Sequence, residues 1–219
     1  MIVFKNSTIP KKYKGAAIAV GNFDGIHKGH QKIFKQAKTI VKKNKIKFGV
    51  LTFTPLPVMF FNKKIKNFRL ISEKFKFQLF KKHEVDFVIN IKFNRTFSKI
   101  TAEKFIKNII FKKINPRLIF VSDNFKFGNK RKGNVHLLKK FSKKYDYRLV
   151  NTAVYKHKGK VVSSTQIRKS LQNGHIDLAN TLLSRTWFIE GVVKRGKKLG
   201  KKLGYPTCNI NIKNYVLPK

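Results

Sequence analysis

The sequence predicts an α/β fold, a mostly parallel sheet with helices on both faces, followed by the start of a small all-β domain. Three observations carry this. Short apolar runs alternate with helix-periodic stretches along most of the chain. A loop rich in glycine and histidine sits at the first strand–helix junction. After Arg185 the pattern changes to extended segments punctuated by glycine.

The predicted strands, each bounded by polar or turn residues, are 16–20, 48–53, 86–91, 118–121 and roughly 148–154. Between the first two, Ile33, Phe34, Ala37, Ile40 and Val41 recur at helical spacing, with lysines on the opposite face. Ala102, Phe105, Ile106, Ile109 and Ile110 follow Thr101 as an N-cap, and Leu137, Leu138 and Phe141 mark a helix before the fifth strand. Two more helices follow, one over 165–173 with Gly174 as its stop and one through Ile176, Ala179, Leu182 and Leu183. From Trp187 a strand is expected through Val193, then a basic turn from Arg195 to Gly204, then an extended segment through Ile212. The expected division is 1–183 and 184–219. The second part is shorter than the ~40 residues an isolated domain usually needs, so it is incomplete or docks on the first.

Composition narrows the class. The 21 Phe supply an interior, and the single cysteine, Cys208, excludes an intramolecular disulfide and a multi-cysteine zinc site. No apolar run approaches the ~20 residues of a membrane span and no secretory segment opens the chain, so a cytoplasmic protein without membrane association is expected. The formal charge of +42 comes from lysines spread over nearly every segment, which predicts nonspecific polyanion binding and faster encounter with anionic substrates rather than a specific nucleic-acid site. Oligomeric state is not legible.

The loop Gly21-Asn22-Phe23-Asp24-Gly25-Ile26-His27-Lys28-Gly29-His30 follows the first strand and opens the first helix. Glycines at 21, 25 and 29 let backbone approach a ligand, and the helix N-terminus offers free N–H groups to phosphate oxygens. His27 and His30, three apart, share a face and can donate to a triphosphate; a metal pair or a surface pair are the competing readings.

In this full form the loop resembles the bacterial bifunctional riboflavin kinase/FAD synthetase family of the HxGH nucleotidyltransferases. Four later stretches resemble the same family in the same order: 52–57 (Thr-Phe-Thr-Pro-Leu-Pro), 122–128, 163–168 (Ser-Ser-Thr-Gln-Ile-Arg) and 200–209. The resemblance implies a Rossmann-like adenylyltransferase domain followed by a flavokinase β-barrel. The implied reaction transfers AMP from ATP to FMN, giving FAD and pyrophosphate, with Mg²⁺ accompanying ATP.

On that resemblance His27, His30 and Arg168 are the expected catalytic groups. Gly21, Asn22, Phe23, Asp24, Gly25, Gly29, Asn124, Ser163, Ser164 and Thr165 are expected around ATP. Phe53, Pro55, Pro57, Phe125 and Phe127 are expected around the flavin. Several have plainer readings: an N-cap run at 163–165, an apolar turn at 53–57, core for Phe127. Asp24 reads either as a carboxylate near Mg²⁺ or as a pin for the glycine loop. The family usually carries an acidic residue at the place of Thr54 and a histidine at that of Leu56, which puts that histidine's phosphate contact in doubt. Gly204-Tyr205-Pro206-Thr207-Cys208-Asn209 resembles the flavokinase motif whose Thr and Asn hold Mg²⁺ and phosphates, implying Thr207 and Asn209 as metal ligands. The sequence reaches Lys219 before the family's kinase base, so adenylyl transfer without riboflavin phosphorylation is expected. Two alternatives remain: a basic nucleic-acid-binding protein on a decayed nucleotidyltransferase fold, and another acceptor, pantetheine phosphate or nicotinate nucleotide.

Overall fold

Alternating side chains on the central strands decide the architecture. In β2 (Ala17–Val20), Ile18 and Val20 join one buried cluster while Ala17 and Ala19 join another, so both faces of the strand are covered. The computed structural model describes residues 1–219 except 66, 195, 197, 198, 206 and 213.

From the N-terminus the chain forms β1 (Ile2–Phe4), β2, α1 (Lys28–Asn44), β3 (Phe48–Thr54), α2 (Pro57–Phe61), α3 (Glu73–Lys82) and β4 (Phe87–Lys92). Next come α4 (Arg95–Ser98), α5 (Ala102–Lys104) continuing as a π-wound helix over Phe105–Ile114, β5 (Leu118–Ser122), β6 (Lys126–Phe127) and β7 (Gly133–Asn134). Then follow α6 (Val135–Ser142), β8 (Arg148–Thr152), β9 (Lys156–His157), β10 (Lys160–Val161), α7 (Ser164–Gln172) and α8 (Ile176–Leu183). The remainder holds β11 (Val192–Lys194), α9 (Leu199–Lys202) and β12 (Asn209–Asn211).

A six-stranded parallel sheet runs in the order β1-β4-β3-β2-β5-β8. On one face α1 and α3 bury Phe34, Val41, Leu79 and Phe80; on the other the helix after Thr101 buries Phe105, Ile106 and Ile110. A third cluster joins α7 and α8 through Ile167, Leu171, Ala179 and Leu182, together with Leu70 and Val216. Fully burying a ring such as Phe34 or Phe80 contributes roughly 2–3 kcal/mol, so these faces hold the helices to the sheet.

The five predicted strands and the predicted helices are all present, with ends shifted by one or two residues. Several shorter elements were missed, β6, β7, β9 and β10 among them, as were an edge strand and a helix of the main fold. β1 is only three residues long and pairs with β4 at the sheet edge. In α3, Phe75, Phe77 and Leu79 alternate with polar residues, a period-2 pattern that imitates a strand; Ser72 nonetheless caps it by accepting from Phe75 N at 3.0 Å.

The strand expected from Trp187 is confined to β11, which pairs antiparallel with β12 apart from the main sheet. Trp187 itself is tied elsewhere: its N–H donates to Asn180 Oδ1 at 2.7 Å and its indole to the Leu70 carbonyl at 3.0 Å. Of the expected basic turn, residues 195, 197 and 198 lie outside the described residues, as does Pro206 of the following motif. The backbone of 68–70 forms a strap between the C-terminal stretch and the sheet domain. Phe68 N and Arg69 N donate to the Asn214 carbonyl at 3.0 and 2.6 Å, and Val216 N donates to the Arg69 carbonyl at 2.9 Å.

Candidate active site

The sheet order places the crevice. From β2 the chain moves to β3 and β4 on one side, then returns through β5 on the other, so the loops after β2 and β5 flank the point where the winding reverses. Ligands of open parallel sheets bind outside the carboxyl ends of the strands at this point.

The loop after β2 is pinned from inside. Phe23, Asp24, Ile26 and His27 are buried, and Phe23 and Ile26 hold φ of 50° and 42°, the left-handed region that side-chain-bearing residues rarely adopt. Gly25 has φ of 84°, and a Cβ there would stand 2.8 Å from Leu70 Cδ1. At the loop's start Gly21 N donates to the Leu51 carbonyl at 3.0 Å, and exposed Asn22 accepts from Thr52 Oγ1 at 3.2 Å through its carbonyl.

His27 caps α1: its Nδ1 accepts from Gly29 N at 3.2 Å. Burial, reinforced by Arg168 and Arg185, pushes its pKa down to about 4, so the imidazole is neutral at pH 7. With Nδ1 accepting, the proton resides on Nε2, which is thereby a donor. His30 stacks on His27 with ring centroids 3.7 Å apart. Burial and the His27 imidazole hold its pKa well below the ordinary value, and its Nδ1 is buried without a hydrogen-bond partner. The opening of a 17-residue helix therefore presents two neutral imidazoles beside unpaired backbone N–H groups. Gly29 allows this packing, since a Cβ there would meet the His27 ring at 3.1 Å.

The start of α7 converges on the same loop. Ser163 caps α7 through Gln166 N at 3.2 Å, Ser164 Oγ donates to the Asp24 carbonyl at 2.8 Å, and Thr165 is exposed. Arg168 differs from the sequence expectation of a cation offered to phosphate. Its Nη2 is paired with the Asp24 carboxylate, its Nε donates to the Phe68 carbonyl at 2.7 Å, and its guanidinium lies 3.6 Å from the Phe68 ring centroid. Its charge is already committed, so it braces the loop.

Asp24 accepts from Leu70 N at 3.1 and 3.3 Å as well as from Arg168. It pins its loop to a neighbouring strap rather than closing a turn on itself. Burial raises its carboxyl above the ordinary value while Arg168 pulls the other way.

Two braces were missed by sequence reasoning. Arg185 donates to the Gly25 carbonyl at 2.6 Å, and Gln31 Nε2 donates to the carbonyls of Ile26 and Leu183 at 2.9 and 3.0 Å. A lone basic or amide residue in a lysine-rich chain carries no local signal of such contacts.

The loop after β5 is open. Asn124 is exposed and accepts from Ser122 Oγ at 2.7 Å; exposed Asp123 accepts from Asn151 Nδ2 at 2.7 Å. Phe125 stacks on Phe127 at 5.4 Å. Phe127 is buried against Phe105, so the plainer core reading describes it, and Phe125 is the ring nearer solvent. Phe53 is buried beside Phe97, and Pro55 and Pro57 are half-buried around the start of α2. Thr207 and Asn209 are exposed, Asn209 on β12, away from the main sheet.

Comparison with known proteins agrees with this arrangement. The FAD synthetase profile matches residues 9–166 and the riboflavin kinase profile residues 183–219. A bifunctional riboflavin kinase/FMN adenylyltransferase of Buchnera aphidicola (Schizaphis graminum) is 41% identical over 95% of this chain and 67% of its own length. The protein of the same name from Haemophilus influenzae is 34% identical over 94% of this chain and 67% of its own. This chain thus spans about two thirds of the length of these relatives. A Streptococcus pneumoniae crystal structure titled a macrolide-efflux protein superposes with a TM-score of 0.84 at 25% identity, over 99% of this chain and 71% of that one. Among the described residues no helix is long and apolar enough to cross a membrane. The match across most of the chain, on a parallel sheet whose first loop carries the paired histidines, means that this chain belongs to the FAD synthetase family.

Proposed function

We propose that the chain transfers the AMP moiety of ATP to the phosphate of FMN, releasing pyrophosphate and forming FAD. The observation that carries this is the pair of stacked, neutral imidazoles on the first turn of α1, beside the start of α7. A phosphate oxygen of FMN attacks the α-phosphorus of ATP in line. The new P–O bond forms as the bond to the α,β-bridging oxygen breaks, and the electron pair leaves with pyrophosphate. The attacking oxygen is already ionised near neutrality, so positioning and charge stabilisation constitute the catalysis.

In this reading His27 donates through Nε2–H to a phosphate oxygen, and His30 lies stacked beside it. The backbone around Gly21, Asn22, Gly25 and Gly29 cradles the triphosphate. Ser163, Ser164 and Thr165 present the second helix start, and Arg168 acts as a positioning residue by holding Asp24. Asn124 and Phe125 on the open loop, with Phe53, Pro55 and Pro57 opposite, form the walls for the nucleotide and flavin rings.

A magnesium ion would supply charge neutralisation on the phosphates when bound. Such an ion keeps several waters and needs few protein ligands, and exposed Asp123 at the end of β5 fits as one.

We also propose 1–183 as the adenylyltransferase unit and 184–219 as a riboflavin-kinase-like unit, on the change of pattern after Arg185 and the separate β11–β12 pair. Glu190 is the one acidic residue in 184–219, and it accepts from Ser72 Oγ at 2.6 Å. Thr207 and Asn209 remain the candidate magnesium ligands of that unit.

The test incubates the purified protein with Mg-ATP and FMN, separating flavins by chromatography and assaying pyrophosphate. FAD and pyrophosphate should appear in equal amounts, and not with a His27→Ala/His30→Ala variant. If FMN is unchanged by the folded wild-type protein, the reading is wrong.

A further inference from the structure

The carbonyls of the histidine loop are held from outside it. Three successive ones accept from side chains in separate parts of the chain. Asp24 accepts from Ser164 Oγ of α7 at 2.8 Å, Gly25 from Arg185 Nη2 at 2.6 Å, and Ile26 from Gln31 Nε2 of α1 at 2.9 Å. Gln31 and Arg185 share a further partner: Gln31 Nε2 and Arg185 Nη1 both donate to the Leu183 carbonyl, at 3.0 and 3.2 Å. The last residue of α8 thereby closes a ring that runs from Gly25 through Arg185, Leu183 and Gln31 to Ile26.

The peptide groups that carry these three carbonyls are trans, so the N–H across each one points away from its brace. Those N–H groups belong to Gly25, Ile26 and His27, and among the described residues none of the three has a hydrogen-bond partner in the protein. All three residues are buried. Buried N–H groups are almost always paired, so three in succession without a protein acceptor are donors kept for a ligand oxygen. The same segment leads into the start of α1, where free N–H groups and the helix dipole favour phosphate. Ile26 shows why braces are needed. It is β-branched and holds φ of 42°, a conformation that lasts only while its surroundings enforce it.

We propose that Arg185 and Gln31 are positioning residues for adenylyl transfer, a role that rests on the adenylyltransferase reading: by fixing the Gly25 and Ile26 carbonyls they aim the Ile26 and His27 N–H groups at the triphosphate. Neither side chain needs to touch the nucleotide. Gln31 commits both of its amide protons to carbonyls, and Arg185 commits both terminal nitrogens. Arg185 lies just beyond the end of α8 at Leu183, so adenylyl transfer depends on a residue from the stretch assigned to the second unit.

The experiment measures kcat and both KM values for FAD formation in wild type, Arg185→Met, Arg185→Lys and Gln31→Leu, each well below its melting temperature. Arg185→Met and Gln31→Leu should each lower kcat by about 10- to 100-fold with KM for FMN within about twofold, since donors misplaced by about 1 Å lose much of their effect on the transition state. Arg185→Lys keeps one donor for the Gly25 carbonyl and should recover part of the loss. If kcat stays at the wild-type value in Arg185→Met and Gln31→Leu while their melting temperatures fall, the braces serve stability alone and the proposal is overturned. An effect confined to KM for FMN overturns it equally. Should Arg185→Met not fold, Gln31→Leu reads the same split. Should wild type make no FAD, the adenylyltransferase reading falls, and calorimetric titration with inorganic tripolyphosphate decides the braces. Gln31→Leu leaves the charge of the chain unchanged, so binding weaker by about tenfold supports the aimed N–H groups, and equal affinity sinks them.

Discussion

The loops after β2 and β5 face one crevice and are built on opposite principles. The first is cross-linked to α7, α8 and the 68–70 strap by Ser164, Arg168, Gln31, Arg185 and Leu70, and its key side chains are buried. The second exposes Asp123, Asn124 and Lys126, with short side-chain contacts to Ser122 and Asn151. Phosphate chemistry needs donors fixed before the substrate arrives, whereas recognition of a ring system tolerates side chains that adapt. On the proposed reading, the difference teaches that one site can divide these demands between two strand ends.

The sharpest way to break the comparison is catalytic. His27→Ala/His30→Ala should lower the FAD-forming rate by about 10³-fold or more, since losing one preorganised donor commonly costs ~10²–10³. Asn124→Ala should act mainly through KM. Equal effects on the rate constant, measured by flavin chromatography, would show the two loops to be alike.

The next effect is on stability. Arg168→Met leaves Asp24 charged and buried without its partner and should cost about 3–5 kcal/mol in urea unfolding. Adding Asp24→Asn should recover part of it. If Arg168→Met unfolds at the wild-type midpoint, the buried brace carries nothing.

Acid gives a smaller, signed test. His27 titrates at about 4 when folded against 6.5 unfolded, so between those values the unfolded chain binds more protons and stability falls as pH falls. The full shift is worth roughly 3 kcal/mol. Asp24, its carboxyl raised by burial, takes up protons earlier when folded and works in the opposite sense. His27→Asn keeps a capping oxygen for Gly29 N but does not titrate, so its melting temperature should fall less from pH 6.5 to 4. The smallest expected effect is Asn124→Ala, within about 0.5 kcal/mol, because its side chain is exposed.

What the sequence disclosed follows the range of its signals. The strand–loop–helix at 16–41 was legible because periodicity, glycines and the histidine spacing are local. So were the caps at Thr101 and the stop at Gly174, which has φ of 77°. The pairing of Arg168 with Asp24 was not legible because the two lie 144 residues apart, and nothing near either residue announces a pair. α3 was hidden by its alternating aromatics.

The strap at 68–70 sets an order of events during synthesis. Asp24 leaves the ribosome early, but Arg168 follows 144 residues later, and Asn214 and Val216 reach the strap later still. At ~5–20 residues per second this is a delay on the order of ten seconds or more. Throughout that interval the nascent loop holds a carboxylate without its guanidinium. A chaperone that shields this loop, or a pause that lengthens the wait, would act on the yield of active protein without touching any residue of the finished site.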